Sequence, residues 1–212
     1  MESNWASDHL QVIRTLMERA AVYRRALAPV MIYNGCLGLA SAGGALALQI
    51  TSPRTFILFW AGVAAAGLAG SFLLVRRQAM KDNEPFWSPP TRRVSEAMLP
   101  PVFAGFALSL VVLFNDQERV FAASPPMALW WLPSAWVILY GCAFHAAGFF
   151  MPRGMKLFGW IFILGGCAMF WLGSSRNMPP ECGHGIMGLF FGVLHLAYGV
   201  YLYFTESRRA GA

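Results

Sequence analysis

Four residues in the second half of the chain are the candidates for redox or metal chemistry: His145, Cys182, His184 and His195. His184 and His195 fall on a single helical face with Met187, Phe191, Tyr198 and Leu202, because these residues recur three or four positions apart. Two axial ligands of one haem iron come from different helices at one depth. His184 and His195 are eleven residues apart on one helix, about 16 Å at a rise of about 1.5 Å per residue, so they cannot share an iron. His145 and His195 are the pair that could, with a depth mismatch of about 6 Å that helix tilt absorbs. The alternative for the same histidines is hydrogen bonding between helices that fixes their packing.

The segment Met178-Pro179-Pro180-Glu181-Cys182-Gly183-His184 gathers thioether, carboxylate, thiol and imidazole groups, a set that suits copper or zinc. Its Cys-x-His spacing completes no four-ligand site, and no second ligand pair occurs in the neighbouring loops. An ordinary polar turn ahead of a helix accounts for it more simply. No Asp or Glu lies at the middle of an apolar run, and no Ser-His-Asp set, HExxH, P-loop or dinucleotide turn is present. Proton-coupled transport, hydrolysis and ATP-driven chemistry therefore lose support.

The elements that must position these groups are set by apolar length. Of 212 residues 57% are hydrophobic and 12% charged, where a soluble domain carries about 25% charged residues. Six runs have the length of roughly 17 to 25 residues that crosses a bilayer: 27–49, 55–75, 98–115, 127–150, 156–173 and 185–204. In hydrocarbon such runs must be helices, since only a helix satisfies an unpaired backbone. With the N-terminus inside, the cytoplasmic segments hold thirteen Lys and Arg and the outer loops only Arg54, Arg119 and Arg176. The basic pI of about 9.5 is thus a topology signal, and a nucleic-acid partner is not expected. Charged residues from Asp8 to Arg25 precede the first run, so that run is a retained anchor rather than a cleaved signal. Cys36, Cys142 and Cys167 lie within runs, which leaves Cys182 no loop cysteine to pair with.

Residues 8–25 read as an amphipathic helix, with Leu10, Ile13, Leu16, Met17 and Ala20 on one face. It either rests on anionic headgroups of the cytoplasmic leaflet or extends the first span straight into the cytoplasm. In the loop 76–97, Ser88 before Pro89 and Pro90 marks a helix start, and Pro100 and Pro101 end that short helix before the third span. Phe86, Trp87, Arg92 and Arg93 suit contact with lipid headgroups or a protein partner. Trp130, Trp131 and Trp136 suit an aromatic belt at the outer end of the fourth span.

Glycine recurs every seventh residue in the last two spans, at Gly159, Gly166 and Gly173 and at Gly185, Gly192 and Gly199. Antiparallel helices pair residues whose numbers add to a constant, and Gly173 with Gly185, Gly166 with Gly192 and Gly159 with Gly199 satisfy that rule. The spacing predicts a tight hairpin of spans five and six, in which small residues let backbones approach. A weaker register of the same kind links Gly38 and Ala42 with Ala66 and Gly62.

The loop from Asn83 to Arg93, with the ending His184, Met187, Phe191-Gly192, His195-Leu196-Ala197-Tyr198-Gly199 and Tyr201-Leu202-Tyr203, resembles a family of uncharacterised small bacterial six-helix inner-membrane proteins. The resemblance implies a bacterial inner-membrane setting and supplies no activity or site residue. The expected architecture is an all-α, polytopic membrane bundle of six transmembrane helices, both termini cytoplasmic. It comprises an N-terminal amphipathic helix over 1–26, a transmembrane domain over 27–204 and a cytoplasmic tail over 205–212. The expected role is a non-enzymatic accessory, sensing or small permease or channel-like component, alone, as a homo-oligomer or with a protein partner. The alternative is a haem- or metal-binding redox protein using His145 and His195, or Cys182 and His184.

Overall fold

The computed structural model describes residues 26–83, 85–114, 127–151, 154–175, 179 and 181–210. The expected amphipathic helix lies outside these residues. All described regular structure is helical: α1 Ala26–Ala47, α2 Pro53–Lys81, α3 Pro89–Phe114, α4 Met127–Ala147, α5 Gly154–Ser175, and α6, a continuous run through Cys182–Met187, Gly188–Leu194 and His195–Ala210.

Local chemistry explains the ends. Helix α1 stops where Gln49 takes a left-handed backbone, φ 52°, with the Ile50 N–H donating to the Ala45 carbonyl at 3.1 Å, as in a helix-terminating Schellman turn. Ser52 then caps α2, its Oγ accepting from the Thr55 N–H at 3.2 Å, and Pro53 occupies the first turn, where a missing donor costs nothing. Helix α2 outlasts its apolar run and ends at Asp82, whose backbone N–H donates to the Gln78 carbonyl at 3.0 Å. Helix α3 starts after Ser88, as its sequence implies. It does not break at Pro100 and Pro101, as expected, but runs through both. The two prolines remove two backbone donors, yet a helix still satisfies the rest of an apolar segment better than a break would. Helix α6 begins at Cys182 and continues to Ala210, so the helix carries on through 205–210.

Five helices are long and apolar enough to cross a membrane: Ala26–Ala47, Pro53–Lys81, Thr91–Phe114, Gly154–Gly173 and Cys182–Thr205. Large apolar side chains are exposed along all of them, among them Leu58, Leu68, Phe103, Leu164 and Val193. Continuous apolar surface of this extent needs lipid around it, and it marks the chain as a membrane protein. Helix α4 is likewise an apolar helix, 21 residues without an Asp, Glu, Lys or Arg. It is also deeply buried, with Leu132, Ser134, Val137, Ala143 and Ala147 at 1% exposure or less.

The glycine stripes are packing seams, but not with each other. Those of α5 face α4: a Cβ on Gly159 would meet the His145 backbone N at 2.7 Å, one on Gly166 the Ile138 N at 3.1 Å, and one on Gly173 the Trp130 ring. Those of α6 face α1: a Cβ on Gly192 would meet the Leu39 N at 3.0 Å and one on Gly199 the Ile32 N at 2.7 Å, while Gly185 meets nothing within 4 Å. The expected α5–α6 pairing is therefore replaced by two antiparallel seams, α4–α5 and α1–α6. Seven-residue periodicity specifies a face for close approach but not its partner, and each stripe also fits a glycine on a different helix, Gly141 on α4 and Gly38 on α1. The second expected register changes likewise. Gly38 faces Phe191 and Gly192 of α6, and Gly62 has nothing within 4 Å. Helices α1 and α2 join instead through Asn34 Nδ2 donating to Ser71 Oγ at 2.8 Å and the Tyr33 hydroxyl donating to the Ala66 carbonyl at 3.0 Å.

Candidate functional site

Two buried histidines organise the interior, and they carry their protons on opposite nitrogens. Close to the start of α6, His184 is 1% exposed. Its Nδ1 lies 3.1 Å from Trp60 Nε1 and its Nε2 lies 2.8 Å from the Ile50 carbonyl. An indole N–H only donates and a carbonyl only accepts, so Nδ1 holds the lone pair and Nε2 the proton. The Ile50 carbonyl is free for this bond because the turn at Gln49 has already ended α1. Phe56 packs on the imidazole at 4.8 Å and stacks on Trp136 at 5.9 Å. Trp136 Nε1 in turn donates to Ser109 Oγ at 3.0 Å. One end of the bundle is thus tied together across α2, α3, α4, α6 and the turn after α1.

The second centre lies further along α6. His195, also 1% exposed, places Nδ1 at 2.9 Å from the Phe190 carbonyl and Nε2 at 3.0 Å from the Tyr140 hydroxyl. The carbonyl can only accept, so here Nδ1 carries the proton and the Tyr140 O–H donates to Nε2. The carbonyl belongs to the π-helical segment Gly188–Leu194, whose wider turn is frequent at functional sites. Tyr140, Phe158, Phe162 and Phe191 surround the imidazole with ring centroids at 5.5, 5.3, 5.4 and 5.9 Å. This aromatic contact, reinforced where Phe190 packs against Gly165, is what joins α5 to α6 in place of the glycines. The Tyr140 hydroxyl is both donor and acceptor, so it can reverse and accept from a doubly protonated His195. Trp60 has no such freedom, so a doubly protonated His184 would lose that bond.

The structure does not bring the expected ligand sets together. On α4 it is Phe144 that faces His195, with ring centroids 6.2 Å apart. The next residue, His145, instead contacts Phe149 at 5.8 Å and Trp160 at 5.4 Å. His145 and His195 do not converge on a haem site, because adjacent helical residues point about 100° apart. Cys182 and His184 are two residues apart on α6 and diverge for the same reason, and both ring nitrogens of His184 are taken. Among the described residues no three His, Cys, Asp or Glu side chains gather to hold a metal.

At the opposite end of the bundle, Phe86 packs edge-on against Phe72 of α2 at 4.9 Å and Trp87 is exposed. Arg92 pairs with Glu96 at 2.7 Å on an open face, and Arg93 is exposed. Trp130 and Trp136 are not belt residues: Trp130 is buried against Gly173 and Phe170, and Trp136 bonds inward to Ser109. Sequence reasoning missed Trp60 and Tyr140. Their signal was an aromatic donor inside an apolar run, where a polar tip needs a partner. Comparison of the chain with protein-family models, with curated proteins and with solved structures finds no match.

Proposed function

We propose that the chain is a six-span protein of a bacterial inner membrane, with both termini cytoplasmic, that acts as a non-enzymatic accessory or sensing subunit. The observation that carries this reading is the state of the interior. His184 and His195 have both ring nitrogens committed to neighbouring helices or backbone, and aromatic side chains fill the space around them. Interior groups spent on holding helices together leave the membrane-facing surface and the loop bearing Phe86, Trp87, Arg92 and Arg93 as the working parts. A permease would have to break these contacts to open a path. Counting six spans includes α4, whose seam with α5 extends from Trp130 against Gly173 to Gly148 against Lys156. The orientation rests on the excess of Lys and Arg at one set of helix ends.

The test is extraction of native membranes with a mild detergent followed by native mass spectrometry. The expected result is a particle of fixed composition containing this chain and a larger partner, or anionic lipid and a second copy. A lone chain that conducts ions or solutes when reconstituted into vesicles would overturn the proposal. Alkaline phosphatase fused after Pro179 should be active and green fluorescent protein fused after Asn83 fluorescent. The reverse pattern would refute the orientation.

A further inference from the structure

Among the described residues one buried side-chain polar atom is left without a partner. His145 Nδ1 is buried and has no hydrogen bond among the described residues, unlike both nitrogens of His184 and His195. Its ring is half-buried at the shoulder where α4 ends and α5 begins, and Gly159 lets the backbones of the two helices close to contact beneath it. Trp160 and Phe149, 47% and 65% exposed, flank it edge-on. The Lys156 ammonium sits 3.6 Å from the centroid of the Phe149 ring, held by the attraction of a cation for an aromatic face. Neither α4 nor α5 contains an Asp or Glu, so the hairpin itself supplies no counter-charge. The positive end of the α5 helix dipole adds to the potential.

We propose that His145, Phe149, Lys156 and Trp160 form a binding site for the headgroup of an acidic phospholipid. The phosphate pairs with the Lys156 ammonium and accepts a hydrogen bond from the His145 imidazole, while Trp160 and Phe149 pack on the glycerol and upper acyl carbons. A half-turn about the Cβ–Cγ bond, where His has two broad wells, carries the unpartnered nitrogen to the open edge of the ring. The charge complementarity selects acidic lipid over zwitterionic, and the exposed aromatic flanks select lipid over free phosphate. The site rests on the reading of the chain as membrane-embedded.

The test uses the full chain in neutral detergent, titrated with phosphatidylglycerol or phosphatidylcholine and read by native mass spectrometry. Wild type is expected to retain phosphatidylglycerol preferentially. Lys156→Gln and His145→Leu should each lower that retention about tenfold, the equivalent of one charge-assisted hydrogen bond, and Lys156→Arg should keep it. Melting temperatures identify variants that fold. In nanodiscs the ¹⁵N resonances of His145 should shift with phosphatidylglycerol, and inorganic phosphate alone should leave them unmoved. Equal retention of the two lipids, wild-type retention by folded Lys156→Gln, or a full response to inorganic phosphate would each overturn the site. A chain that stays soluble without detergent would instead overturn the membrane reading beneath it.

Discussion

Alanine at Gly38 and at Gly43, five residues apart on α1, should change stability in opposite directions. A Cβ on Gly38 would lie 2.8 Å from the Gly192 N and 2.6 Å from the Phe191 carbonyl carbon, which is backbone and cannot swing aside. The clash can be relieved only by parting α1 from α6. That separation loosens three further layers of the same seam: Gly35 against Leu196, Ala42 against Gly188 and Ile32 against Gly199. Overpacking costs about 1–3 kcal/mol, and a backbone-on-backbone seam belongs at the upper end. Alanine returns about 1 kcal/mol of helix propensity, so Gly38→Ala should lose about 2 kcal/mol. For a chain of this size that is a fall of roughly 4–8 °C in melting temperature. A Cβ on Gly43 meets nothing within 4 Å, so Gly43→Ala should gain about 1 kcal/mol, or roughly 2–4 °C. Tryptophan-fluorescence melts of the three proteins in one detergent measure both shifts. Gly185→Ala extends the test, because its Cβ also meets nothing although an α5–α6 glycine seam would make it costly. Gly38→Ala as stable as Gly43→Ala, or a large loss in Gly185→Ala, would refute the α1–α6 seam.

Other outcomes follow from the histidine networks and the turns. His184→Leu leaves the Trp60 N–H and the Ile50 carbonyl unpaired, at about 1–3 kcal/mol each. In a double-mutant cycle with Trp60→Phe the coupling should be about 0.5–3 kcal/mol, and simple additivity would count against the bond. Tyr140→Phe removes the donor to His195 Nε2 and should destabilise by about 1–3 kcal/mol. It should also shift the ¹⁵N resonance of that nitrogen toward a free imidazole, and an unmoved resonance contradicts the assigned tautomer. Gln49→Gly relieves a left-handed backbone and should stabilise by about 1 kcal/mol, read as a raised melting temperature. Purified protein should show no Soret band and no stoichiometric copper or zinc by elemental analysis, since His145 with His195, and Cys182 with His184, point apart.

What the sequence revealed depended on whether the signal was local. Apolar runs marked the helices, and Ser88 with Pro89 marked the start of α3, because length and capping are properties of a single segment. The glycine stripes correctly marked faces of close contact, yet their partners were misassigned. Chain adjacency favoured α5 with α6, whereas the actual partners present their own glycines, Gly141 and Gly38, from elsewhere in the chain. The histidines were singled out as chemistry. Their partners, an indole, a phenol and two carbonyls, were invisible: one carbonyl becomes available only when α1 ends at Gln49, and the other lies in a π turn that no residue pattern announces. Pro100 and Pro101 misled for the opposite reason, a strong local breaker overridden by the cost of unpaired backbone in an apolar segment.

The most deeply packed helix explains the arrangement of the rest. Helix α4 carries three tryptophans, a tyrosine and a histidine, and its buried side chains contact α2, α3, α5 and α6. Tryptophan and tyrosine supply large apolar faces with polar tips, and those tips are met by protein: Trp136 by Ser109 of α3 and Tyr140 by His195 of α6. Helix α4 therefore buries its aromatic surface in protein and leaves the lipid-facing surface mainly to its neighbours. His145 is the exception, with a nitrogen that no described residue meets, near the end of this central helix beside a lysine for which α4 and α5 hold no Asp or Glu. If α4 is the hub of the bundle, a ligand bound there sits on the helix to which the others are fastened. Acidic lipid should then raise the melting temperature of the wild type, and Lys156→Gln should abolish that rise without lowering the lipid-free melting temperature. A lipid-induced rise of the same size in both proteins would separate the site from the stability of the bundle.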